Sequence, residues 1–221
     1  MISFKDSEYQ RAKFIRRGQV FMEPAVQELA EWISNTKNVK VLHIILDAVG
    51  PERRPRMQVI FEFFSDAFKF RDNSVTGCNE AEISSIIIKF CEIVEARNLI
   101  NLNLNGLFVV FSDFESVAKS EAFSKIPKME FDRLKYKFDS SSVWKVPFEL
   151  GYPAVFFFKN SQVESKALAE LRKYCIEEYY SLIKKFDEFN YFYKSTFKVS
   201  FDSKENLDNR YGGNWFYYWH G

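Results

Sequence analysis

The chain closes on the run NWFYYWHG, and its last 36 residues carry 13 of the 40 aromatic side chains in a sequence of 221. Rings at that density cannot stay in water without exposing a large apolar patch, so this segment has to be an ordered element, buried or covered by a partner. By alternation, Phe197, Val199 and Phe201 fall on one side of an extended segment, with Thr196, Lys198 and Ser200 on the other. Trp215, Tyr217 and Trp219 then share one face of a following strand, with Phe216 and Tyr218 opposite. The expectation is a terminal β-hairpin joined by the polar loop 202–210.

Upstream, helix and strand signals alternate. Ser7 with Gln10, Ser112 with Glu115, and Ser161 with Glu164 have the spacing of a capping box, in which each side chain satisfies a free N–H of the first turn. Glu23 and Pro24 open a helix with the apolar stripe Val26, Leu29, Ala30 and Ile33. Ile83, Ile86, Ile87, Phe90, Cys91 and Val94 recur at three and four and predict a helix over 80–96. Leu168, Leu171, Cys175, Tyr179, Leu182, Phe186 and Phe189 predict one long helix over 161–189, roughly 40 Å at about 1.5 Å per residue.

Residues 39–47 are apolar on both faces and read as a central strand, followed across GPERRPR by a second strand over 57–64. Asn105-Gly106 marks a tight turn within 98–111, since both residues tolerate positive φ. Leu134, Tyr136 and Phe138 alternate with lysines as a strand does, and 153–158 reads as a short buried strand. No internal repeat stands out. The expected fold is a single α+β domain over 1–221: a mostly antiparallel sheet packed with amphipathic helices, and a long C-terminal helix followed by a terminal β-hairpin.

Composition narrows the function. Thirty-one basic residues balance 30 acidic ones, a net charge of +1, so no global field draws in nucleic acid or an anionic membrane. Cys78, Cys91 and Cys175 are odd in number and lack C-x-x-C spacing, which suits neither a disulfide framework nor a zinc site. A cytoplasmic, soluble protein is expected, because no apolar run approaches the roughly 18 residues of a membrane span and the N-terminus shows no signal-peptide pattern.

Catalytic chemistry finds little support in the residues. His43 and Asp47 share a strand face but stand about 13 Å apart at 3.3 Å per residue, too far to form a hydrogen-bonded dyad. His220 is next to last in the chain, and there is no G-x-S-x-G elbow or glycine-rich phosphate loop. The loop DSKENLDNRYGG resembles a calcium loop but has Leu207 where a glycine is needed and Gly213 where a bidentate carboxylate is needed. No metal and no cofactor are expected. Lys135, Lys137 and Lys145, interleaved with Phe131, Tyr136, Phe138 and Trp144, match the charge-plus-stacking recipe for single-stranded nucleic acid, against which the neutral overall balance counts.

The stretch FKVSFDSKENLDNRYGGNWFYYW after a long helix resembles the C-terminal part of cytoplasmic immunity proteins of bacterial polymorphic and contact-dependent toxin systems. The resemblance covers roughly the last 60 residues and implies a non-enzymatic protein that binds and neutralises a toxin effector domain. It transfers no catalytic residue. The expected contact residues, chosen as solvated charges, are Asp202, Glu205, Asp208 and Arg210 of the terminal loop, with Arg53, Arg54 and Arg56 of the first hairpin. The alternatives are an enzyme or ligand-binding protein with a pocket built from His43, Asp47 and the C-terminal aromatics, and a single-stranded nucleic-acid module.

Overall fold

The computed structural model describes residues 3–71, 79–99, 104–138, 141–148 and 151–220, with the backbone alone at 219 and 220. Its contacts fall into two compact units, Met1–Val117 and Ala118–Gly221. The α+β class expected from the sequence holds.

The first unit opens with helices α1 (Ser7–Arg16) and α2 (Pro24–Lys37). The antiparallel pair β1 (Val41–Val49) and β2 (Arg54–Phe61) follows. Helices α3 (Phe64–Phe68) and α4 (Glu80–Ala96) then return the chain to β3 (Phe108–Asp113), which lies parallel to β2. Pro24 sits in the first turn of α2, where its fixed φ costs nothing, and Asn38 closes that helix in the left-handed region at φ 50°. Asn79 caps α4 by accepting from the N–H groups of Ala81 and Glu82.

One face of this sheet is apolar. Met57, Val59 and Phe61 alternate along β2 and, with Ile44 and Val109, pack on Leu29 and Ile33 of α2 and on Ile86 and Phe90 of α4. Each such side chain contributes about 1.5–3 kcal/mol by leaving water. The opposite face carries His43, Ile45 and Asp47 beside their partners Ile60, Gln58 and Arg56. Helix α1 packs against β1 and is held at both ends by ion pairs, Glu8 3.8 Å from Arg56 and Arg16 3.0 Å from the buried Glu62.

In the second unit α5 (Phe114–Ser124), whose first turn still belongs to unit one, and α6 (Lys128–Lys137) precede the antiparallel pair β4 (Val143–Lys145) and β5 (Ala154–Phe157). A short α7 (Asn160–Val163), a 3-10 turn at Lys166–Leu168 and α8 (Ala169–Ile183) lead to β6 (Ser200–Ser203), parallel to β5. Helices α9 (Lys204–Tyr211) and α10 (Trp215–His220) end the chain. The core joins Phe131 and Leu134 of α6, Val155 and Phe157 of β5, and Cys175 and Tyr179 of α8.

The chain therefore traverses the order α-α-β-β-α-α-β twice, each time with one antiparallel and one parallel strand pair. The detail at the strand ends matches too. In the first unit the Glu115 carboxylate accepts from the N–H of Phe64, which opens α3, while the Glu115 N–H donates to the Glu62 carbonyl. In the second the Glu205 carboxylate accepts from the N–H of Asn160, which opens α7, while its N–H donates to the Phe158 carbonyl. Asp113 and Ser203 end the equivalent strands, and each accepts from the N–H three residues on, at Ser116 and Asn206.

Several expectations are corrected. β2, not β1, is the central strand of its sheet; β1 is apolar on both faces because α1 and α2 cover it. Each sheet is mixed, with antiparallel pairing confined to one of its two strand pairs. Residues 128–137 form a helix because Phe131, Leu134 and Phe138 are buried at helical spacing, while Tyr136 is exposed. The long helix over 161–189 is broken into α7, the 3-10 turn and α8, which ends at Ile183. The terminal hairpin is absent: 204–211 and 215–220 are helical. The predicted caps shift as well. Asp6 precedes α1, Asp113 rather than Ser112 caps α5, and at the start of α7 the Gln162 side chain accepts from the Lys159 N–H. Residues 100–103 of the expected first arm of the 98–111 hairpin, and Cys78, lie outside the described residues, while Asn98 and Leu99 bond back to Glu95 and Val94 at the end of α4.

If Glu115 and Glu205 join strand end to helix start, replacing either by Ala lowers stability by about 1 kcal/mol, the scale of a lost cap. A urea titration reads this as a reduced midpoint with unchanged far-UV circular dichroism; an unchanged midpoint would show that water satisfies those N–H groups equally well.

Candidate functional site

The C-terminal segment is built on the end of β6. Ser203 accepts from the Asn206 N–H and starts α9, and Gly212 ends that helix at φ 59°, a conformation costly for any residue with a Cβ. The Asn214 side chain then accepts from the Phe216 N–H, 2.9 Å away, and α10 begins. Trp215 and Tyr218, three apart, turn inward. Trp215 lies parallel to Trp144 with centroids 6.1 Å apart and meets Phe156 edge-on at 5.0 Å. Tyr218 meets Phe156 at 5.4 Å and Tyr211 at 5.0 Å. Such ring pairs each add about 0.5–1.5 kcal/mol beyond the area they bury.

A polar bond locks the helix in place. The Tyr218 hydroxyl donates to Asp202 Oδ2 at 2.5 Å, and Asn206 Nδ2 donates to the same carboxylate at 3.0 Å. Burial, then the bond to Asp202, holds the Tyr218 hydroxyl well above its ordinary pKa, so it remains a proton donor at any physiological pH. Burial and the Asp202 charge likewise raise Tyr152. On the outer side of α10, Phe216 and Tyr217 are 63% and 60% exposed, their rings 5.8 Å apart and edge to face.

The seven charged residues expected at a contact surface divide by environment. Asp202 lies in β6 and is the acceptor just described, not a loop charge. Glu205 is bound to the Asn160 N–H at 2.8 Å. Asp208 pairs with Lys204 along exposed α9, and the Arg210 guanidinium sits 5.3 Å over the Tyr211 ring. In the first unit Arg56 grips Asp47 with two hydrogen bonds, of 2.9 and 2.5 Å. That pairing and the charge of Asp47 raise the Arg56 pKa further. Arg54 donates to the Gly106 carbonyl at 3.0 Å and lies 4.7 Å over the Phe108 ring. Arg53 stands exposed at the hairpin turn with φ 49°. Asp208, Arg210 and Arg53 are thus the members whose charges face solvent, while the others join pieces of the fold.

His43 is buried to 4% exposure, and neither ring nitrogen has a hydrogen-bond partner among the described residues. Burial, and next the charge of Arg11, lowers its pKa from 6.5 to about 4. Asp47 shares its sheet face but is held by Arg56. Cys175 lies in the core of the second unit, where burial pushes its thiol up to about 12 and makes it a poor nucleophile. Among the described residues no group of three or more His, Cys, Asp or Glu side chains is placed to hold a metal ion, and no helix is long and apolar enough to cross a membrane.

The outward pair Phe216 and Tyr217 was missed because alternation assigned rings 215, 217 and 219 to one face. The helix-start signal Asn214, two residues before Phe216, is the cue that separates the two patterns. Comparison with protein-family models, curated proteins and solved structures gives no match.

Two outcomes follow. Removing one hydroxyl by Tyr218→Phe lowers stability by about 1–2 kcal/mol in chemical denaturation, since it leaves part of the Asp202 carboxylate without a donor; no change would mean that the bond contributes nothing net. For His43, the unfolded chain binds a proton near pH 6.5 and the folded chain only near 4. The residue has no effect on stability above about pH 6.5, costs progressively more as pH falls, and levels off below about 4 at roughly 3 kcal/mol. His43→Gln should flatten that part of the pH–stability profile, and a profile identical to wild type would contradict the assignment.

Proposed function

We propose that the protein is a non-enzymatic binding module that docks on a bacterial toxin effector domain and neutralises it, as the resemblance of its C-terminal third to cytoplasmic immunity proteins implies. The observation that supports this reading is the exposed ring pair Phe216 and Tyr217 on a helix anchored from beneath by Trp215 and Tyr218. Aromatic side chains are enriched in protein interfaces and dominate their energetics, and a helix already fixed by its own buried rings loses little freedom on docking. Asp208 and Arg210 of α9 supply solvent-facing charges of both signs nearby in the chain, suited to steering a partner and setting register.

The test uses the product of a neighbouring toxin-like open reading frame, measured by calorimetry and by protection of cells that express it. Replacing Phe216 and Tyr217 together by Ala should weaken binding by about 2–4 kcal/mol, the scale of hot-spot truncations, and move the melting temperature little. Charge reversal at Asp208 and Arg210 should act chiefly on the association rate and its salt dependence. Charge reversal at Asp202 should instead destabilise the fold, because that carboxylate is the acceptor for Tyr218. Wild-type protein that neither binds nor protects would overturn the reading.

A further inference from the structure

The second unit carries a groove of about 340 Å³ between one face of α6 and the strand β4 with the residues that follow it. Lys128, Asp132 and Lys135 recur at four and three along α6, so all three fall on the groove side. Among the described residues none of them makes an ion pair. Elsewhere on the same helix the charges are committed: Arg133 pairs with Glu130, and Lys137 lies 2.5 Å from Glu178. Across the groove Lys145 contributes a third ammonium, positioned 5.0 Å over the Trp215 ring. The apolar walls are rings. Trp144, Phe131 and Phe148 line the groove, the last two in contact with ring centroids 6.3 Å apart, and Lys128 rests 5.1 Å over Phe148.

Three lysines against one carboxylate make the lining net positive in a chain that is nearly neutral overall. Lys128 and Lys135, without carboxylate partners among the described residues, are available to an incoming anion at no cost in broken ion pairs. Ring walls accept a flat apolar body, and Asp132 can accept from a hydroxyl or an N–H but would repel a second negative charge at its own end. The volume lies in the range of small-ligand sites, and the near-zero net charge of the protein disfavours a long polyanion.

We propose that this groove binds a small anion that carries a flat ring and hydrogen-bond donors, the chemistry of a nucleoside monophosphate. The lysines hold the phosphate, the rings hold the base, and Asp132 receives a donor from the sugar or base. This site is separate in its residues from the outer face of α10, and its test requires no toxin.

The probes are the monophosphates of adenosine, guanosine, cytidine and uridine, titrated into the full chain by saturation-transfer NMR and calorimetry. At least one should bind, and the matching nucleoside and inorganic phosphate should each bind at least about tenfold more weakly, because each supplies only half of the contacts. Replacing Lys128 and Lys135 together by Ala should weaken the bound monophosphate by about tenfold or more, and Asp132→Asn should weaken it or change the preference among the four bases. Lys145→Gln serves as an independent variant should the double substitution disturb α6. Absence of binding by all four at millimolar concentration, or equal affinity in every lysine variant, would overturn the proposal. So would a single-stranded oligonucleotide that binds far more tightly than any monophosphate, since that marks an open cationic surface rather than a bounded site.

Discussion

Wherever a helix begins directly beyond a buried strand, its first backbone N–H groups have no partner within the helix and must find one outside it. In each unit one glutamate meets that demand for the short helix following the central strand: Glu115 for α3 and Glu205 for α7. Both sit at the second position of the helix that follows the parallel strand, so a single side chain ties the ends of two neighbouring strands and the starts of two helices. The backbone N–H of the same glutamate extends the parallel pairing by one bond, to Glu62 in one unit and Phe158 in the other. The junction therefore fixes where the parallel strand ends against its neighbour and the direction in which the following helix leaves the sheet.

The second junction also positions the candidate docking surface. Ser203, which ends β6, accepts from Asn206 and donates to Asn160 Oδ1, so α9 leaves the strand in a fixed direction. Asp202, one residue earlier, takes the Tyr218 hydroxyl and fixes α10 against the sheet. The charges around this segment are consequently of two kinds. Those near the strand end hold the fold, and those farther along α9 face water. A charge beside a strand end is therefore a poor guide to a contact surface, because the unpaired backbone groups there recruit carboxylates for structure first.

Much of the helical framework was legible. Pro24 marked the start of α2, and the three-and-four spacing of apolar residues gave both α2 and α4 correctly. The buried character of PAVFFF likewise identified β5, all four of whose residues are buried. The C-terminus was misread because W-F-Y-Y-W satisfies a period of two and a period of three equally well, and only the preceding turn decides between them. Gly212 and Gly213 at positive φ reverse the chain, and Asn214 supplies the first acceptor of a helix. Residues 128–137 failed for the same reason: Leu134, Tyr136 and Phe138 alternate, yet Phe131 completes a helical stripe that leaves Tyr136 outside. The repeated order of elements has one short parallel in the sequence, F-S-D-F-E at 111–115 against F-D-S-K-E at 201–205. That is too short to stand out, since strands of nine and eight residues in the first unit correspond to strands of three and four in the second.

Native-state amide hydrogen exchange on the full chain addresses the central claim directly, because it reads the junction bonds one by one. The amides of Glu115 and Ser116, and of Glu205 and Asn206, should be protected to the level of the most protected amides of their own unit, opening only when that unit unfolds as a whole. Exchange at those four amides as rapid as in the surface loops, while the strands stay protected, would contradict the claim that each unit is organised around its strand-to-helix junction.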